Sequence, residues 1–160
     1  PGRTGVSVSI DTLVRLHNDL PQGIVGLKEA PGTTDRISTL RALLGNDFSI
    51  LSGDDSLTLP MMSVGADGVI SVASNILPRQ VRDMVHAALE GNFGQAREIH
   101  ASLSPVFKDL FIETNPIPVK AALAMAGRIQ ETYRPPLTPM GAANRARLEQ
   151  TLRTFGYLSV

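Results

Sequence analysis

The chain has 160 residues, 42% of them hydrophobic, and 15 basic side chains balance 15 acidic ones to a formal net charge of zero. That length supports one domain with a real core, because a domain of this size buries roughly two-thirds of its unfolded surface. The balanced charge, with no block of like sign, excludes the basic footprint of a nucleic-acid binder, and no run approaches the ~18 apolar residues of a membrane span.

The chain opens on Pro1-Gly2-Arg3-Thr4, a turn with no initiator Met and no signal pattern, so a processed or truncated N-terminus is expected. Residues 10–20 are amphipathic and read as a helix. Gly23-Ile24-Val25-Gly26-Leu27-Lys28 is short, β-branched and bounded by turn residues, which predicts a buried strand over 22–28. A second helix is predicted over 34–44, capped by Thr34 or Asp35 and ended by Gly45-Asn46. Strands over 48–53 and 68–73 follow, with a short helical stretch over 56–64 between them.

From Pro78 onward the strands stop. Val81, Met84, Val85, Ala88 and Leu89 fall at helical spacing and Gly91-Asn92 closes that helix. A second helix spans 93–104, a third follows Pro116-Ile117-Pro118 through Ala126, and a fourth spans 141–155. The pattern is αβαβαβ and then helices. It predicts an α/β fold with a parallel sheet and right-handed crossovers over 1–77, and a helical region over 78–160. Three buried parallel strands make an incomplete sheet with two open apolar edges, so other polypeptide is expected to complete it.

Lys28 is the sharpest chemical signal. It ends a predicted parallel strand, where α/β barrels place their active sites, and Ile24, Gly26 and Lys28 share one face. Burial there would disfavour the ammonium and leave a neutral amine able to attack a ketone, with Gly26 leaving room for a small substrate. The same position also fits a lysine that leaves the sheet and reaches water. Arg3 suits a substrate carboxylate through its bidentate fork, or is a solvated loop charge. Gly53 allows close backbone approach to a ligand, and Asp54 or Asp55 reads as a cap of the following helix rather than a metal or acid–base pair. Ile70 would set backbone groups at a barrel mouth, or is core strand.

His17, His86 and His100 are scattered, no cysteine is present, and neither GxGxxG nor a phosphate loop occurs. No metal, cofactor or disulfide is therefore expected, and the lack of cysteine suits a reducing, cytoplasmic setting. Tyr133 and Tyr157 read as packing residues.

Six segments occur in one order along the chain: Pro1-Gly2-Arg3-Thr4-Gly5, Ile24-Val25-Gly26-Leu27-Lys28-Glu29-Ala30, Leu51-Ser52-Gly53-Asp54-Asp55, Gly68-Val69-Ile70-Ser71-Val72, Thr114-Asn115-Pro116-Ile117-Pro118-Val119-Lys120 and Arg134-Pro135-Pro136-Leu137-Thr138-Pro139. Together they resemble the second half of the dihydrodipicolinate synthase family. The resemblance implies the second half of a (β/α)8 TIM barrel followed by a helical C-terminal domain. It implies that Lys28 condenses with pyruvate and that the enamine attacks aspartate semialdehyde, on the diaminopimelate route to lysine. Arg3 would receive the semialdehyde carboxylate, and Gly53 and Ile70 would line the pocket. The family's proton-relay tyrosine and its paired threonines fall before residue 1, as do the first five strands, and Tyr133 matches no catalytic motif. A barrel of this class needs about 250 residues. The 160-residue chain alone is therefore expected to be a poor catalyst whose partners are the missing N-terminal half and further copies in a homo-oligomer. Two other readings remain open: another pyruvate aldolase of the superfamily, acting on N-acetylneuraminate or a keto-deoxy sugar acid, and a non-catalytic half-barrel.

Overall fold

The computed structural model describes residue 2 and residues 4–158. In chain order it forms α1 (Ile10–Asp19), β1 (Gly26–Glu29), α2 (Thr34–Leu44), β2 (Ser49–Ser52), α3 (Thr58–Met62) and β3 (Gly68–Val69). A 3-10 turn (Ala73–Asn75) leads to α4 (Pro78–Leu89), α5 (Phe93–Asp109), α6 (Ile117–Met125) and α7 (Ala142–Thr154). The strands pair in parallel in the order β1-β2-β3, with Gly26 opposite Ser49, Lys28 opposite Leu51, and Leu51 opposite Gly68. The chain divides into two units. One holds the residues up to Ser71 with Val85–Phe93, and the other holds Val72–Met84 with the residues from Gly94 on.

In the α/β unit, alternation along each strand separates two faces. Ile50 and Ser52 are fully buried and Glu29 nearly so, whereas Gly26 and Lys28 are exposed. Ile37, Leu40, Phe48 and Met61 complete a core in which none of the four exposes measurable surface. Helix α2 spans the residues its periodicity predicts, but neither Thr34 nor Asp35 caps it. Thr33 is the N-cap, without a side-chain bond, and Asp35 sits in the first turn, where a negative charge favours the helix dipole. In α1, Ser9 caps, accepting from the Thr12 amide at 3.1 Å.

Two strands are shorter than their apolar runs. Residues 21–23 form a turn, and the amides of Gly23 and Ile24 both donate to the Leu20 carbonyl at 2.9 Å. The Ile24 carbonyl accepts from His17 Nδ1 at 2.8 Å. Ile24 thus satisfies its backbone groups on α1, and regular pairing starts only at Gly26. Beyond β3 one ladder bond continues, Ile70 N–H to the Ser52 carbonyl at 2.8 Å, before the 3-10 turn.

Arg41, in the last turn of α2, ties down the N-terminal ends of β2 and β3. Its guanidinium donates to the carbonyls of Gly65 (2.6 and 2.9 Å), Gly45 (2.7 Å) and Phe48 (2.9 Å), and to Asp67 Oδ2 at 2.8 Å. The same Asp67 oxygen accepts the Ile50 amide at 2.7 Å. Removing a charged donor from several half-buried carbonyls leaves acceptors unmatched. Arg41→Ala is expected to destabilise this unit by roughly 2–3 kcal/mol, read as a fall in the urea midpoint at constant slope.

The helical unit has its own core, with Leu103, Val106, Leu110, Leu148 and Leu152 wholly buried. Helix α5 continues through Pro105 to Asp109, five residues past the expected end. A proline inside a helix costs about 3 kcal/mol, and burial of Val106, Phe107 and Leu110 just beyond it offsets that cost. Asp109, 3% exposed, is satisfied from α7 by Arg147 (2.7 and 3.0 Å) and by Thr151 Oγ1 (2.6 Å).

His100 lies against Phe107, ring centroids 5.9 Å apart, and its Nδ1 has no partner among the described residues. Burial lowers its pKa below the ordinary 6.5. The unfolded chain therefore takes up the proton first as pH falls, so the contribution of neutral His100 is intact above 6.5 and is lost as pH drops through the folded value. His100→Leu is expected to flatten the loss of stability between pH 7.5 and 5.5 in paired urea titrations. Among the described residues no helix is long and apolar enough to cross a membrane.

Candidate active site

The C-terminal ends of the three strands present Lys28, Gly53 and Ile70 in adjacent positions. Lys28 stands on the open face of the sheet beside Leu51, its register partner. It is exposed, and it takes no hydrogen bond or ion pair among the described residues. The desolvation expected from its strand position is therefore not supplied here. The buried face of β1 belongs to Glu29, and the lysine projects to the opposite side. Arg3, the fourth expected site residue, lies outside the described residues.

Gly53 shapes the space beside the lysine. A Cβ there would sit 3.0 Å from Lys28 Cε, 3.0 Å from the Glu29 carbonyl oxygen and 3.3 Å from Ala30 Cα. The Gly53 amide donates to that Glu29 carbonyl at 2.7 Å, which holds the chain close against β1. Gly53→Ala is expected to displace the lysine stem and slow amine chemistry at Lys28 by roughly 10–100-fold, with far-UV circular dichroism unchanged. Ile70, 46% exposed, continues β3 at the same end of the sheet. Gly26, expected to leave room for a substrate, has a nearer reason. A Cβ there would lie 2.9 Å from the Ser49 carbonyl oxygen, so glycine is what lets β1 approach β2.

Sequence reasoning missed Glu29. Its carboxylate is 1% exposed, and Oε2 accepts from Arg36 Nε at 2.8 Å, while Arg36 also donates to the Val8 carbonyl at 2.7 Å. Oε1 has no partner among the described residues. The pair fastens the end of β1 to α2 directly behind Lys28. No local signal marks it, because the partners are seven residues apart across a loop.

Neither expected acid caps α3, whose N-cap is Leu57 without a side-chain bond; Asp54 Oδ1 instead accepts from Ser56 N and Oγ at 2.8 Å and from Leu57 N at 3.3 Å, organising the turn that precedes the helix. Asp55 is buried. Among the described residues no three acidic or histidine side chains converge as a cation site requires.

Tyr133, in the helical unit, donates to Glu131 Oε1 at 3.1 Å, and Lys120 Nζ lies 5.2 Å from its ring centre. Burial and the Glu131 carboxylate push the phenol up to about 12. A hydroxyl so firmly protonated is a structural donor and a poor proton shuttle near neutral pH.

The chain as a whole is similar to known proteins. The model of the dihydrodipicolinate synthetase family matches residues 1–155. The curated 4-hydroxy-tetrahydrodipicolinate synthase of Aquifex aeolicus is 52% identical over 155 residues, covering 97% of this chain and 52% of that protein. The crystal structure of dihydrodipicolinate synthase from the same organism superposes with a TM-score of 0.96 at 51% identity, covering 98% of this chain and 53% of the other. The chloride-inhibited dihydrodipicolinate synthase of Acinetobacter baumannii, solved in complex with pyruvate, matches at a TM-score of 0.92 and 38% identity, covering 99% and 54%. The chain spans about half the length of the curated relatives it matches.

Proposed function

The chain belongs to the dihydrodipicolinate synthetase family, and on that premise we propose that it carries the nucleophile of a Schiff-base lyase condensing pyruvate with aspartate semialdehyde in the diaminopimelate route to lysine. It would form the second half of a (β/α)8 barrel, residues 1–77, with residues 78–160 as the last barrel helix and helical C-terminal domain. The remaining strands, the proton relay and the walls that desolvate Lys28 would come from the rest of the barrel. A cytoplasmic homo-oligomer is the expected assembly.

The observation that carries this reading is the placement of Lys28: an amine without a partner among the described residues, at the C-terminal end of a parallel strand, beside a glycine where a methyl group would crowd the lysine stem at 3.0 Å. Its Nζ would add to the pyruvate carbonyl carbon, lose water to form the iminium, and after loss of a methyl proton give the enamine that bonds to the aldehyde carbon. The pyruvate held by the Acinetobacter baumannii relative supports the first substrate. Arg3 would receive the carboxylate of the second, and the backbone at Gly53 and Ile70 would line the pocket.

The choice of second substrate is tested with the completed barrel. Aspartate semialdehyde should be consumed with pyruvate, whereas N-acetylneuraminate and keto-deoxy sugar acids should not be cleaved. Arg3→Ala should lower kcat/KM for the semialdehyde about 100-fold and leave the pyruvate adduct able to form. Turnover of a sugar acid, or loss of the pyruvate adduct in Arg3→Ala, would contradict this division of roles.

A further inference from the structure

Two cavities of the helical unit, of about 410 and 550 Å³, share Arg128 and Tyr157 as common lining. The first is closed by the start of α4 with Arg79 and Gln80, and the second by Arg145, Glu149 and Arg153. Four guanidiniums and the Glu149 carboxylate thus line the two cavities, and Glu131 pairs with one of those guanidiniums from outside the lining. Arg145 is held by Glu131 at 2.7 Å and Arg153 by Glu149 at 2.8 Å. The side chains of Arg79 and Arg128, both exposed residues, take no hydrogen bond or ion pair among the described residues.

Backbone donors point the same way. Pro78 has no N–H and the Val81 amide is bonded to the Leu77 carbonyl at 3.1 Å, which leaves the Arg79 and Gln80 amides without a partner among the described residues at the positive end of a twelve-residue helix. We propose that this groove binds a small multivalent oxyanion, carried as carboxylate or phosphate groups, with Arg128 at its centre and Arg79 and the α4 amides at one end. A guanidinium fork matches either oxyanion in bidentate fashion, and each cavity is of the size of a small-metabolite site. Its lining belongs to the helical unit, and it does not depend on the lyase reading.

The test is titration calorimetry on the purified protein with pyrophosphate in one arm and citrate in the other, at 0.15 M salt. Saturable binding of at least one probe with Kd below about 1 mM is expected. Arg128→Ala and Arg79→Ala should each weaken it tenfold or more, and Arg128→Lys, which keeps the charge and loses the fork, should fall between. Arg82→Ala is the control: that arginine is exposed on α4, paired with Asp83 at 2.6 Å and outside both cavities. Preference for pyrophosphate assigns a phosphorylated ligand, and preference for citrate a polycarboxylate. Should Arg128→Ala lose its circular dichroism signal, the Arg128→Lys comparison carries the test. Absence of saturable binding, unchanged affinity in the arginine variants, or an equal loss in Arg82→Ala would overturn the assignment.

Discussion

Lys28→Ala is expected to lower kcat of the completed barrel by about 10⁴-fold or more, with the fold intact. Removing a covalent nucleophile from a working set of groups has costs of that order, because the chemical step then lacks its intermediate altogether. The fold should survive because the Lys28 side chain is exposed and takes no hydrogen bond among the described residues, while Glu29 and Arg36 tie down β1 on the other face. Lys28→Arg should not rescue activity, since a guanidinium stays protonated and cannot attack a ketone. A steady-state assay decides it, and residual activity above about one per cent of wild type would be incompatible with covalent catalysis at this residue.

Phe48→Ala is expected to destabilise the α/β unit by about 3–5 kcal/mol, the cost of emptying a buried aromatic site. Phe48 is fully buried where β2 begins, and its ring meets His17 edge-on at 5.2 Å. His17 in turn holds the Ile24 carbonyl, so the ring supports the turn that leads into β1. Because a domain of this size has only about 5–15 kcal/mol in hand, the variant should lose roughly a fifth or more of its stability. Urea titration should give a clearly lower midpoint, and a change under about 1 kcal/mol would mean that the core repacks around the gap.

Much of this fold is legible in the sequence where burial forces a period. Helix α2 begins and ends at the residues its pattern marks, because Ile37, Leu40 and Leu44 must all reach one core. The three strands are recognisable as apolar runs for the same reason. Their lengths are not, since apolar character marks burial and not pairing: Ile24 is apolar yet bonded to α1, and residues 71–73 leave the ladder after Ile70.

Contacts between distant segments are the least legible. Arg41 reads as one more helix cation, and only the fold brings Gly65 and Asp67 within its reach. Glu29 reads as a strand-end acid that should be solvated, yet it is among the most buried side chains. The placement of Lys28 and Gly53 at the C-terminal end of the sheet is legible because each stands at the end of an apolar run. The exposure of Lys28 is not, because an apolar run marks burial of the strand and not of the long side chain near its end.

Reductive trapping tests the central claim most directly. The chain has three lysines, Lys28, Lys108 and Lys120. Neither of the last two lies on a strand, and both serve as internal controls. Incubation of the completed barrel with pyruvate and borohydride, followed by peptide mass mapping, should place one pyruvate-derived label on Lys28, and Lys28→Ala should carry none. A label on Lys108 or Lys120, or labelling that survives Lys28→Ala, would contradict the assignment of Lys28 as the Schiff-base lysine.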